Sequence, residues 1–377
     1  MGVVRRAPLV ALGATALFAG LWGGLLRLGL SVPGASGHLG ELHGPLMTLG
    51  FLGTLISLER AVALGRSWGY AAPLAAGVGT LAAAAGAPGA FGPALLAFAA
   101  AVLLVEHALI DRLQRTAHNG VMALGALAWL AAAVLWLAGD DTVRFVPLLA
   151  GFLVLTIVGE RLELSRLRGL GGARRAALLA AIALLGGGLA LSVPSEDAGM
   201  RLAGVGLLAQ AAWLVRYDIA RRTVHGRGVT RFMAVALLSG YFWLGVAGVL
   251  WLLHGLSTGG FAYDAQLHAL FLGFVMSMVF AHAPVIVPAV LRVRLPFHPR
   301  FYAHLALLHL SLALRVIGGD WAGNLRLWQW GGVGGEAAIL LFLVVTATAV
   351  ARSRRRRAAV AQATRSRTRG KSTLFSS

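Results

Sequence analysis

The chain contains no cysteine, which excludes disulfides, thiolate metal sites and iron–sulfur clusters. Any metal must be held by His, Met, Glu or Asp. The chain is also poor in charge: only 12% of its 377 residues are charged, far below what a globular domain of this size needs to stay in water. With 58% hydrophobic residues, the composition is that of an all-α polytopic membrane protein. Acidic residues are scarcer than basic ones, and the formal net charge is +19. That surplus does not point to nucleic acid, because the basic residues fall in alternate loops and in the tail, as the positive-inside rule requires.

What the chain has in abundance is long apolar runs. Twelve spans are expected, at 8–30, 42–64, 69–88, 91–111, 119–138, 144–164, 175–193, 200–218, 231–254, 264–291, 300–317 and 333–351. Arg5 and Arg6 precede the first run, which is long enough to remain as a span rather than be cleaved as a signal peptide. The fifty glycines suit close helix packing in lipid, with Gly20 and Gly24 as one small-residue pair. The loops alternate between basic (Arg112 and Arg115; five arginines in 161–175; 216–231; 292–300) and uncharged or acidic (31–41, 87–92, 139–142, 194–199, 255–264). This places both termini in the cytoplasm of a bacterial-type inner membrane. The membrane domain is 1–351. The arginine-rich tail 352–377 is expected to be disordered and to lie near anionic lipid. Trp321, Trp328 and Trp330 read as an interfacial belt.

There is an internal repeat. Gly50-Phe51-Leu52 precedes Glu59-Arg60 in the second span, and Gly151-Phe152-Leu153 precedes Glu160-Arg161 in the sixth at the same offset. In the tenth span, Gly273-Phe274 precedes His282 at that offset. Those spans are four apart, so the twelve read as three pseudo-repeated units of four helices. The Glu-Arg pairs at cytoplasmic helix ends read as cross-helix ion pairs with snorkelling arginines. A proton or ligand path is the alternative.

Polar rings at membrane depth must be paired, wetted or bound to something. Topology sorts the histidines into two levels. His43 and His268 enter near the outer surface, with Met47 one turn below His43; His254 ends the ninth span at that level, and His38 lies just outside. His282, His304 and His309 share a deeper level. His107 sits near an inner helix end beside Glu106. His118, His225 and His298 fall in basic loops and are expected to be solvated. Neutral imidazole suits iron, copper and zinc. Two helices offering His from opposite sides can sandwich a haem, and three His in one cavity suit copper. The blander reading is that each ring bonds a carbonyl or a neighbouring helix.

Twelve spans, three four-helix units and outer-side histidines on spans 2 and 10 resemble the haem–copper oxidase catalytic subunit. In that family the two helices carry the axial ligands of the low-spin haem, so the resemblance implies that role for His43 and His268. The copper histidines of that family, on helices 6 and 7, have no counterpart here, which argues against oxygen reduction. The chain more closely resembles the NnrS family of haem- and copper-containing membrane proteins linked to nitric oxide. The carriers of this likeness are His43-Gly44-Pro45-Leu46-Met47 leading to Gly50-Phe51, Gly240-Tyr241-Phe242-Trp243-Leu244 in span 9, and His268-Ala269 opening span 10. The usual early His-x-His of that family is replaced by His38 and His43, five apart. The resemblance implies a b-type haem at His43 and His268, with Met47 as a fallback ligand or packing on the ring, and a role in nitrosative-stress response or denitrification. It also implies a small gaseous ligand such as nitric oxide, and a redox partner or respiratory complex. The deeper His282, His304 and His309 read as a metal site, copper by their chemistry, although His304 and His309 lie about 140° apart on their helix and need not serve one metal. A transporter and an assembly factor for a respiratory complex are the competing readings. A transporter would show broken helices in inverted repeats; here the repeat is threefold and same-sense, and Pro284 and Pro288 mark the one evident proline break.

Overall fold

The computed structural model describes residues 6–33, 37–165, 169 and 171–374; side chains are described for these except 37 and 356–374. Helix is the only regular secondary structure among them. The long helices are α1 (Ala7–Arg27), α2 (His43–Leu64), α3 (Ala71–Ala84), α4 (Phe91–Leu113), α5 (Ala117–Leu137) and α6 (Thr142–Ser165). They continue with α7 (Gly172–Leu191), α8 (Glu196–Tyr217), α9 (Gly228–His254), α10 (Gly260–Leu291), α11 (Phe301–Trp321) and α12 (Leu325–Leu374). All except α3 are long and apolar enough to cross a membrane. The chain is a polytopic helical membrane protein.

Two elements differ from the sequence reading. The span expected at 69–88 is a one-turn 3₁₀ helix, Ser67–Tyr70, followed by the fourteen-residue α3. The proline break expected in α10 does not occur: the helix runs through Pro284 and Pro288 and stops at Arg292, whose φ of 51° is left-handed. Each proline removes one backbone donor but pre-sets a helical φ, so a helix held on several sides can carry both. The backbone of α12 runs helical to Leu374. Most of the tail for which disorder was expected lies outside the residues whose side chains are described.

Helix α6 is the axis of the molecule. Of its most apolar eighteen-residue stretch 83% is buried, against 22% for α12. The helices that carry the repeat converge there. Arg60 on α2 donates to Glu160 on α6 at 3.1 Å, and Arg161 on α6 donates to His282 on α10 at 2.7 Å. Glu160 and His282 stand at one offset of the repeat, and Arg60 and Arg161 at the next. Helices α2 and α10 meet in turn at their N-terminal ends, where the His43 and His268 rings face each other.

Three stretches widen from α to π geometry: Leu46–Gly53 in α2, Ala269–Met276 in α10 and Leu314–Trp321 in α11. The first two begin within three residues of His43 and His268 and enclose the Gly-Phe pairs of the repeat. The crowding explains the glycines. A Cβ on Gly50 would lie 2.7 Å from the Ala16 Cβ, and one on Gly20 would lie 2.7 Å from the Met47 sulfur.

Candidate functional site

The N-terminal ends of α2, α6 and α10 surround a cavity of about 1090 Å³ counted with its mouth. Helices α1, α11 and α12 complete it. Its walls are mostly apolar, with Leu52, Val146, Phe271, Leu272 and Ile339 among them. The polar groups that reach it are few: His43, His268, Asp264, Arg315, Arg27 and Glu336 carry the argument, with Met47 alongside.

Hydrogen bonding fixes which nitrogen of each imidazole carries its proton. The Nδ1 of His43 lies 2.7 Å from the Gly20 carbonyl oxygen. A carbonyl only accepts, so Nδ1 is the donor and Nε2 holds the lone pair. The Nδ1 of His268 lies 2.9 Å from the Asp264 carbonyl and 3.1 Å from the Asp264 carboxylate. Both are acceptors, so His268 is in the same tautomer. Each ring therefore presents a free Nε2 lone pair, and the ring centres are 6.4 Å apart with planes 24° from parallel. Two imidazoles sharing one metal ion have ring centres roughly 6 Å apart, from two bonds of about 2 Å and the two ring radii. Metal-ligating histidines almost always donate the other N–H to a carbonyl or carboxylate, and both do so here.

Asp264 is the hub behind His268. Arg315 donates to both of its oxygens, at 2.6 and 2.7 Å, and the Trp328 indole donates at 2.9 Å. Arg315 is only 7% exposed, and its guanidinium lies 5.3 Å from the centre of the Trp328 ring. Trp328, expected in an interfacial belt, is thus part of the site, while Trp321 and Trp330 are exposed. Asp264, Arg315 and Glu336 were not singled out from the sequence as site residues, and Trp328 was assigned to the belt. The available signals were an aspartate one turn before His268 and charges embedded in apolar spans at Arg315 and Glu336.

The deeper histidines are arranged otherwise. In His282, Nδ1 donates to the Met278 carbonyl at 2.6 Å and Nε2 accepts from Arg161; its lone pair is occupied. In His309, Nδ1 accepts from the Trp243 indole at 3.0 Å, which leaves the proton on Nε2. His304 is 1% exposed and sits among Phe232, Phe280, Phe301 and Phe342, with neither nitrogen hydrogen-bonded. Among the described residues no group of three or more His, Asp or Glu could hold a metal ion. The structure does not gather His282, His304 and His309 into a copper centre, because shared depth does not point three lone pairs at one place.

The remaining histidines take separate places. His254 is exposed, as are His225 and His298. His38 bonds the Ala83 carbonyl outside the cavity. His118 is half-buried between Thr116 and Glu163 rather than solvated. His107 and Asn119 form a two-bond clamp between α4 and α5: Nδ1 donates to Asn119 Oδ1 at 2.8 Å, and Asn119 Nδ2 donates to the His107 carbonyl at 2.9 Å.

The fold and cavity define a class: a polytopic helical membrane protein with a paired-imidazole pocket at one end of its central helices. A family model described as "Domain of unknown function (DUF8744)" matches residues 6–351, and the chain belongs to that family. No curated protein and no solved structure matches it.

Proposed function

We propose that this protein binds a haem, b-type, in the cavity between α2 and α10, where His43 and His268 would hold it. The observation that carries the reading is the pair of facing imidazoles, each with Nδ1 tied to an oxygen and Nε2 free. Apolar walls suit the macrocycle, and Arg27 at the edge of the cavity suits its carboxylates. Bound there, haem supplies one-electron chemistry and affinity for diatomic gases. The likeness to the NnrS family supports nitric oxide as the physiological ligand, a redox partner or respiratory complex in the same membrane, and a role in nitrosative stress. Copper is the second reading, favoured by Met47, which lines the same cavity as the two histidines.

The test is an optical spectrum of the protein purified in detergent. A Soret band with low-spin features is expected. His43→Ala and His268→Ala should each abolish the low-spin signal, and the double variant should be no worse than either, since a two-ligand site fails as a unit. A colourless, metal-free protein that is folded and inserted would overturn the reading in favour of a transporter or an assembly factor.

A further inference from the structure

The two facing imidazoles differ in what stands behind them. His43 Nδ1 donates to one neutral acceptor, the Gly20 carbonyl on α1. His268 Nδ1 donates to the Asp264 carbonyl at 2.9 Å and lies 3.1 Å from the Asp264 carboxylate. A hydrogen bond to an ionised acceptor is roughly twice as strong as one to a neutral acceptor, and it pushes electron density onto the far nitrogen. Arg315 offsets part of the carboxylate charge. It also fixes the carboxylate: with His268, the two Arg315 bonds and Trp328, Asp264 is held by groups from α10, α11 and α12.

The freedom to move is unequal too. His43 begins α2, in a single helical turn that passes at once into the widened stretch Leu46–Gly53. The space beside Gly44 is open, with no atom within 4 Å of where a Cβ would stand. His43 and the Glu336 carboxylate both pack against Gly24: a Cβ there would lie 3.1 Å from His43 Cε1 and 2.5 Å from Glu336 Oε1. His268 lies within α10, one turn after its own carboxylate partner.

We propose that the two histidines have different tasks: His268, backed by Asp264, is the fixed and electron-rich ligand, and His43 is the displaceable one, whose departure opens a site for a small neutral ligand beside Glu336. This rests on the haem reading above and assigns the face on which that group takes its ligand. Asp264 is accordingly a positioning residue, and Arg315 and Trp328 position it.

The test uses the full chain in detergent, with haem and carbon monoxide as probes. His43→Gly should retain haem, turn it high-spin and bind carbon monoxide without displacing a protein ligand, while His268→Gly should lose the cofactor. Asp264→Asn should weaken haem binding by about 10–100-fold, the usual effect of losing such a partner. Should Asp264→Asn fail to fold because Arg315 is left unpaired, Asp264→Asn/Arg315→Gln removes the charges together and carries the same expectation. A readout independent of the cofactor is ¹⁵N-histidine NMR of the haem-free protein. The His268 Nδ1 proton should resonate downfield of that of His43 and move upfield in the Asp264 variant. Equal loss of haem from the two glycine variants, or an unmoved His268 resonance, overturns the proposal. A wild-type protein that takes up no haem overturns the haem reading instead and is told apart by that result alone.

Discussion

An imidazole inside a membrane has two nitrogens to satisfy and no water to satisfy them. The neighbours that each nitrogen meets decide what the ring can do, and His282 is the sharpest case. Its lone pair accepts from Arg161 at 2.7 Å, and its proton goes to the Met278 carbonyl. It holds an arginine in place rather than a metal. Replacing it by leucine removes the acceptor and leaves a guanidinium nitrogen unsatisfied, which costs about 1–3 kcal/mol. We expect His282→Leu to unfold at lower temperature while leaving any cofactor spectrum unchanged; a selective loss of bound copper at unchanged stability would contradict this. Sequence spacing could assign a depth to this ring but not a direction. Depth was enough to pair His43 with His268, since both lie at one level near the same end of the bundle. It misled for His304 and His309, whose surroundings are an aromatic cage and the Trp243 indole.

At the scale of the element, the positions of the helices were legible because hydropathy and helix length measure the same thickness of lipid. Their interior geometry was not. Nothing in Leu46–Gly53 or Ala269–Met276 marks a change to π geometry, which arises where glycines let neighbouring helices press close. Gly24 on α1 is the clearest case in the site, since His43 and Glu336 occupy the space that a side chain would need. Gly24→Ala should displace one or both without breaking α1, because alanine is the better helix former. Overpacking of this kind costs about 1–3 kcal/mol, which corresponds to about 5- to 150-fold in cofactor affinity. A titration of the variant with haem measures it. The matching change at the exposed Gly187, where a Cβ meets nothing within 4 Å, should leave affinity unaltered.

At the scale of the molecule, the repeat has a physical expression. Its two adjacent offsets place Arg60, Glu160, Arg161 and His282 where α2, α6 and α10 meet, and the bonds run from α2 to α6 and from α6 to α10. Arg60 also lies 3.7 Å from Glu59, so Arg60→Glu would set three carboxylates around a half-buried point. We expect Arg60→Glu and Glu160→Arg each to destabilise the protein by about 1–3 kcal/mol, as for hydrogen bonds to charged groups. The exchanged pair should regain part of the loss. Strict additivity of the two changes would show that the pair is not coupled.

Whether both termini share one side depends on α3, the one long helix that falls short of a conventional span. Its fourteen residues rise about 21 Å, and the 3₁₀ turn before it adds about 8 Å. The sum is close to the hydrocarbon thickness of about 30 Å. The arginine pattern needs that crossing. With it, Arg66, Arg112, Arg115 and the basic loop 216–231 all fall on one side; without it, Arg66 is separated from the others by the membrane. With that crossing, the positive-inside rule predicts the cavity, at the N-terminal ends of α2, α6 and α10, on the outer side, and the Arg60–Glu160 pair on the inner side. Reporter fusions after Arg66, Arg115 and Arg227 should therefore report the cytoplasm, and fusions after Ala87, Asp140 and Ser195 the outside. The Arg66 and Ala87 pair is decisive, because only α3 separates them. If both report one side, α3 does not cross, the chain has eleven spans, and the termini lie on opposite faces.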